Sequence, residues 1–226
     1  MDEGEPDGEA DDVDSRRMQI AFLVYDDMTA LDMIGPYEVL GRLPGAEIRF
    51  VAAEPGTKRT DQKLGLVADF PLADVPAPEI VVVPGGDQRG PMGDERVLDW
   101  LRAAHETSTW TTSVCTGSYI LAAAGLLEGR RATTHWATLE GLAEFGALPV
   151  SERVVEDGKL ITAAGVSAGI DMGLTLAARV AGDDFARAIQ LGIEYDPHPP
   201  FDSGSPAKAG AQIVELLRGY YASERS

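Results

Sequence analysis

The chain has 226 residues, 44% of them apolar, enough to bury one sizeable core, and its single cysteine, Cys115, excludes an internal disulfide. With 37 acidic against 19 basic residues the formal charge is −18, which repels phosphate backbones and anionic lipid surfaces, so no nucleic-acid and no membrane partner is expected. The three histidines, His105, His135 and His198, lack metal-ligand spacing, so no metal is expected either.

The first fourteen residues hold eight acids and almost no large apolar side chains. Such a stretch cannot bury enough surface to offset ordering, so residues 1–17 are expected to form a disordered acidic tail ahead of a single domain over 18–226. The body still carries −10, with four Lys against fifteen Arg. That suits a salty cytoplasm, and a GC-rich coding bias gives the same arginine excess. The start is acidic rather than Lys/Arg-led and the apolar runs are strand-sized, so a cytoplasmic location is expected.

From Met18 the pattern alternates strand and helix, as a parallel sheet covered on both faces requires. Met18–Tyr25 reads as a buried strand, and Ala30–Leu43 as a helix despite Pro36, with Asp32 in its first turn. Ile48–Ala53 is a second strand, Lys63–Phe70 an antiparallel edge segment, and Ile80–Val83 a central strand that ends in Pro84-Gly85-Gly86. Asp94–His105 is an amphipathic helix. Thr109–Val114 is a strand running straight into Cys115, and Thr116–Ala124 a helix stopped by Gly125. A short strand at Ala132–Thr134, a helix near Thr138–Phe145 and a hairpin through Arg153–Thr162, turning at Asp157-Gly158, follow. Ser167–Ala181, Asp184–Tyr195 and Ala211–Ala222 read as helices, and Pro197–Gly210 as irregular. The expected fold class is α/β: a Rossmann-like, flavodoxin-like, mostly parallel sheet.

Three sites compete at the carboxyl ends of strands, where open α/β sheets place ligands. In Thr112-Ser113-Val114-Cys115-Thr116-Gly117-Ser118 a strand delivers a cysteine to a sharp turn before a helix with small residues in its first turn. Unpaired N–H groups at that helix start favour a thiolate, which makes Cys115 the candidate nucleophile. A lone cysteine is more often a buried core residue, but its strand-to-elbow placement favours the nucleophile. Gly165-Val166-Ser167-Ala168-Gly169 matches the serine-hydrolase elbow, with Asp183, Asp184 or Asp196 and then His198 following in hydrolase order. Only 57 residues remain after Gly169, and they read as helix and loop, which favours Ser167 as a helix cap and the glycines as a close-packing surface. Pro84-Gly85-Gly86-Asp87, with Gly90 beyond, lacks the Walker lysine and is weak as a phosphate cradle. As an oxyanion hole it is attractive, because Gly85 and Gly86 expose backbone N–H groups. Asp32 is open between two readings. It favours the helix dipole, and its apolar neighbours Leu31, Met33 and Ile34 suit a partly buried carboxyl raised toward a general acid/base pKa.

Leu31-Asp32-x-x-Gly35-Pro36, Val83-Pro84-Gly85-Gly86, the Cys115 elbow, Arg131-Ala132-Thr133-Thr134-His135-Trp136 and Gly165-x-Ser167-Ala168-Gly169-Ile170-Asp171 together resemble the ThiJ/PfpI superfamily of class I glutamine-amidotransferase-like proteins. Asp32 with Cys115-Thr116, the Ala-Thr-Thr-His-Trp run and Glu194-Tyr195-x-Pro197-x-Pro199-Pro200-Phe201 looks like the isocyanide hydratases within it. The likeness runs from about Gln19 to Ser205. It implies Cys115 as nucleophile, Asp32 as its acidic partner, Gly86 and Thr116 as backbone donors, and the Thr116 hydroxyl as a contact. Ser167 becomes a helix-start residue. PfpI peptidases carry a histidine after the cysteine, where this chain has Thr116, and glyoxalase and deglycase relatives carry a glutamate at the position of Asp32. Many relatives that share the Thr-Thr-His-Trp run are transcription regulators that continue into a C-terminal DNA-binding domain, which is not expected here with the sequence ending at Ser226.

The implied reaction adds water to an isocyanide through a Cys115 thioimidate, with Asp32 as general acid/base, no cofactor and a small-molecule substrate. His135 is either a second base or, the favoured reading, a structural hydrogen-bonding residue. A homodimer is implied, with Met33, Ile34 and Tyr37 offering apolar surface. The competing readings are a glyoxalase/deglycase-type cysteine enzyme, a redox sensor oxidised at Cys115, and a serine hydrolase using Ser167.

Overall fold

The computed structural model describes residues 17–224, so the expected acidic tail lies, but for Arg17, outside the described residues. In chain order the elements are β1 (Met18–Leu23), α1 (Ala30–Leu40), β2 (Ala46–Ala52), β3 (Gly56–Arg59), β4 (Gly65–Ala68), β5 (Phe70–Pro71) and β6 (Ile80–Val83). Then come α2 (Arg89–Met92), α3 (Glu95–Thr107), β7 (Trp110–Val114), α4 (Gly117–Ala123), β8 (Arg131–Ala132) and β9 (Leu148–Pro149). The chain continues through β10 (Val154–Asp157), β11 (Leu160–Ala163), α5 (Ala168–Ala181), α6 (Asp183–Gly192), α7 (Pro206–Ala209) and α8 (Ala211–Glu224).

Seven strands form the main sheet in the order β10-β11-β7-β6-β1-β2-β5. Every pairing in it is parallel except β10 with β11. Ile20 to Val24 and the whole of β6 are buried without alternation, the mark of strands covered on both faces. Helices α1 and α5 pack on one another, and α2, α3 and α4 form a second group. This is the flavodoxin-like, mostly parallel architecture expected from the sequence.

Strand order reverses between β1 and β6, so the carboxyl ends of β1, β6, β7 and β11 share one rim of the sheet, where such folds bind ligands. The helices fix what stands on that rim. Asp94 caps α3 by accepting from the Arg96 N–H at 3.0 Å, and Val97, Leu98, Trp100, Leu101 and Ala104 bury one helical stripe. In α1, Pro36 cannot donate to the Asp32 carbonyl but presses its ring toward α5. A Cβ on Gly169 would stand 2.9 Å from Pro36 Cδ and 3.2 Å from Val114 Cγ2, so only glycine lets α5 approach both α1 and β7.

Several expectations are corrected. Lys63–Phe70 is not one edge strand: β4 pairs antiparallel with β3 in a separate two-stranded sheet, and β5 alone forms the parallel edge beside β2. The Thr138–Phe145 helix is a 3-10 segment that begins at Trp136, and α6 ends at Gly192 rather than Tyr195. Met33 is buried in the core and offers no surface, whereas Tyr37 is exposed, with its ring leaning on Phe22 and Phe50. The groove beside α1 is lined by Leu31, Ile34, Ile170, Ile193 and Tyr195 together with the charged Glu38 and Arg42. Among the described residues no helix is long and apolar enough to cross a membrane, and no cluster of His, Cys, Asp and Glu could hold a metal ion.

Candidate active site

Strand β7 ends by forcing Cys115 into a left-handed backbone conformation, φ +55°, a costly state for a side-chain-bearing residue that the surroundings must hold in place. They do so with hydrogen bonds to its backbone. The Cys115 N–H is shared between the carbonyls of Ala163 and Ala164, both at 3.0 Å. Its carbonyl accepts from the Thr134 hydroxyl at 2.8 Å and the Ser118 hydroxyl at 3.1 Å. The side chain is buried, and the backbone N–H groups of Thr116 and Val166 reach its sulfur.

Asp32 enters from the first turn of α1 and is fully buried. Its Oδ2 accepts from the Gly85 N–H at 2.9 Å, whereas Oδ1 has no hydrogen-bond partner within the protein. Burial is the largest effect on it and lifts its pKa to about 7, against the Gly85 N–H and the neighbouring Cys115 thiol, which ease the charge. A carboxyl poised there exchanges protons readily in both directions at neutral pH.

The same burial, followed by the field of Asp32, pushes the Cys115 thiol up to about 12 against the two backbone N–H groups. The thiolate expected from the helix start is therefore not the resting form. The sulfur waits as a thiol beside a carboxyl that can take its proton.

Of the expected site residues, Cys115, Asp32, Gly85, Gly86 and Thr116 come together on the sheet rim. The oxyanion role of the two glycines needs correction, because both N–H groups are engaged. Gly85 donates to Asp32, and Gly86 donates to the Thr116 hydroxyl at 2.9 Å, which donates back to the Gly86 carbonyl at 3.0 Å. Their work in this geometry is to brace the acid and the elbow. A Cβ on Gly85 would stand 2.5 Å from the Thr116 nitrogen and 2.8 Å from Asp32 Oδ2, so the strand-end glycine is what allows acid and elbow to meet.

His135 sits beyond Thr134. Its Nδ1 accepts from the Ala137 N–H at 3.3 Å, which leaves the ring hydrogen on Nε2, and burial depresses its pKa. A neutral imidazole with its acceptor nitrogen occupied is not a base, and this geometry fits the structural role. Ser167 stands apart and exposed. It makes no side-chain cap bond to α5. Its hydroxyl accepts from Arg153 Nη2 at 3.1 Å, while Arg153 Nε holds Asp171 at 2.5 Å. A guanidinium cannot accept a proton, so Ser167 lacks the base a hydrolase needs. Ser167→Ala is expected to shift stability by no more than about 0.5 kcal/mol and to leave turnover intact. Thermal melts and initial rates check this.

Two contributors were not read from the sequence. Val166, held at φ +36°, acts through its backbone N–H, so its side chain carries no signal; only its seat inside Gly165-x-Ser167 marks the loop. Tyr25 follows β1 and donates its hydroxyl to the Pro84 carbonyl at 2.9 Å. Burial first, then Asp32 and Cys115, raise its pKa well above the ordinary phenol value, so it stays neutral. In the sequence it looks like one more strand residue.

Comparison with known proteins places this geometry. The DJ-1/PfpI family model matches residues 18–179. The chain is 46% identical over 204 residues to an isonitrile hydratase of Pseudomonas putida, covering 89% of each chain. It is 27% identical to a deglycase of Pyrococcus horikoshii over 64% of this chain and 89% of that one. A crystal structure of a ThiJ/PfpI family protein from Pseudomonas syringae superposes with a TM-score of 0.90 at 37% identity, covering 99% of this chain and 93% of that chain. The chain belongs to the DJ-1/PfpI family.

Proposed function

We propose that this protein is an isocyanide hydratase, adding water to R–N≡C to give the N-substituted formamide R–NH–CHO. The observation that carries the reading is the buried Asp32 carboxyl with a pKa of about 7 beside the Cys115 thiol. The isonitrile hydratase relative supports the choice of substrate class. No cofactor is required.

Asp32, as the carboxylate, takes the thiol proton while the sulfur forms a bond to the terminal carbon of the isocyanide. Asp32 then delivers that proton to the same carbon, leaving the thioimidate R–N=CH–S–Cys115. Backbone N–H groups of Thr116 and Val166 steady the charge on sulfur as it develops. Water next adds to the thioimidate carbon, its proton passing through Asp32 to the nitrogen. The carbon–sulfur bond breaks as the new hydroxyl becomes the formyl oxygen, and its proton returns by way of Asp32 to the sulfur. The sum is one isocyanide and one water consumed, one formamide released.

A substrate panel tests this reading: an aryl isocyanide, methylglyoxal, a peptide and a p-nitrophenyl ester, each with wild type and Cys115→Ala. Cysteine-dependent conversion of the isocyanide alone is the expected result. Turnover of methylglyoxal in its place would assign the protein to deglycase-type chemistry.

A homodimer is also proposed. The groove of about 370 Å³ beside α1, where Leu31 and Ile34 stand beside Glu38 and Arg42, and the exposed Leu31 and Tyr37 on the same helix supply a mixed apolar and charged surface of the kind a second copy covers. Light scattering at micromolar concentration is expected to give twice the chain mass, and a monomer mass would refute the dimer.

A further inference from the structure

The last helix packs on the His135-Trp136 segment that follows Thr134. Along α8 the side chains of Ile213, Leu216 and Tyr220 are exposed, whereas Tyr221 is half-buried. Two ring contacts seat this end of the helix. Tyr221 lies edge-on to His135, with centroids 5.9 Å apart and planes at 76°, and the Arg218 guanidinium stands 5.9 Å from the Trp136 ring. His135 and Trp136 directly follow Thr134, whose hydroxyl holds the Cys115 carbonyl. The helix is thus docked on the segment that braces the nucleophile. Tyr221 is also within the electrostatic reach of Cys115: after burial, a negative sulfur is the next cause that raises its phenol pKa.

An isocyanide is linear, so when its terminal carbon meets the sulfur, its substituent points away from it. Asp32, Gly85, Thr116 and Val166 supply the polar floor around the sulfur. The rings of His135 and Tyr221 pack on one another next to Thr134, on the side of the elbow that the Thr134 hydroxyl holds. We infer that Tyr221 is a specificity-determining residue whose ring, backed by His135, contacts the substituent of the substrate and favours a ring-bearing substituent over a small one. The inference rests on the hydratase reading for the identity of the substrate, and on the ring geometry for the position of the wall.

The test compares wild type, Tyr221→Ala, Tyr221→Phe and Leu216→Ala, the last on the exposed face of the same helix. The readout is the ratio of kcat/KM for phenyl isocyanide to that for methyl isocyanide. Tyr221→Ala is expected to lower this ratio about tenfold, while Tyr221→Phe and Leu216→Ala stay within about twofold of wild type. A ratio unchanged or raised in Tyr221→Ala overturns the inference. So does an equal loss on both substrates, the signature of a residue that only anchors α8. If wild type hydrates neither isocyanide, the hydratase reading fails and the wall is judged separately. Cys115 is the only thiol in the chain, so the relative rates of its alkylation by N-phenylmaleimide and N-ethylmaleimide report the same contact. A fall in that ratio in Tyr221→Ala supports the wall, and an unchanged ratio removes it.

Discussion

Cys115→Ala is expected to reduce isocyanide hydration to the uncatalysed rate, a loss of at least about a thousandfold, with the fold retained. Alanine deletes the sulfur that forms the bond to carbon and leaves the elbow in place. The bonds that hold the elbow run through the backbone of residue 115: its N–H to Ala163 and Ala164, its carbonyl from Thr134 and Ser118. None of them uses the sulfur. Loss of the thiol also removes one of the groups that ease the charge on Asp32, so the carboxyl becomes harder to ionise. Full activity in Cys115→Ala would move the chemistry away from this rim.

Asp32→Asn is expected to lower kcat by roughly a hundredfold to ten-thousandfold, the range over which a positioned acid/base acts. Asparagine keeps an oxygen for the Gly85 N–H but carries no proton between thiol, carbon and water. The same substitution has an opposite effect on stability. The folded-state pKa of Asp32, about 7, lies above the roughly 3.9 of an unfolded aspartate. Between those values the folded state holds a proton that the unfolded chain has lost, so stability is full below about pH 4 and declines as pH rises through about 7. Asparagine removes that decline. At about pH 8 the variant is expected to be more stable than wild type by on the order of 2–4 kcal/mol, a gap that closes near pH 4. Removing the negative neighbour also lowers the Cys115 pKa from about 12, a change that thiolate absorbance follows directly. Activity lost, stability gained above neutrality and a more acidic thiol form a set that a merely structural aspartate would not produce.

Sequence patterning reached the main strands and the positions of Cys115 and Asp32, because buried runs such as Ile80–Val83 and a strand that ends on Cys-Thr-Gly-Ser leave few other placements. It failed where the decisive contact is invisible in residue type. The partner of β4 is Gly-Thr-Lys-Arg, residues 56–59, which has no apolar side chain to announce a strand, so the hairpin was read as an edge of the main sheet. The thiolate expectation rested on the helix start, a local feature. Burial of the sulfur itself, and then the field of Asp32 beside it, are tertiary ones, and they outweigh the helix start. Gly85 and Gly86 were read correctly as a rim loop, but which acceptor each N–H meets depends on how α1 and the elbow converge. The contact of Tyr221 with His135 could not be placed at all, since it joins residues far apart in the chain and arises only from the docking of α8.

The covalent step is tested most directly by intact-mass spectrometry of Asp32→Asn mixed with an aryl isocyanide at about pH 9, where a larger fraction of the thiol is ionised than at neutral pH. With attack possible and hydrolysis of the adduct slowed, the protein is expected to gain the mass of one isocyanide, localised by peptide mapping to Cys115 and absent in the Asp32→Asn, Cys115→Ala double variant. Rapid formamide production by Asp32→Asn, or an unmodified Cys115 after prolonged incubation, would contradict a thioimidate whose protons are carried by Asp32.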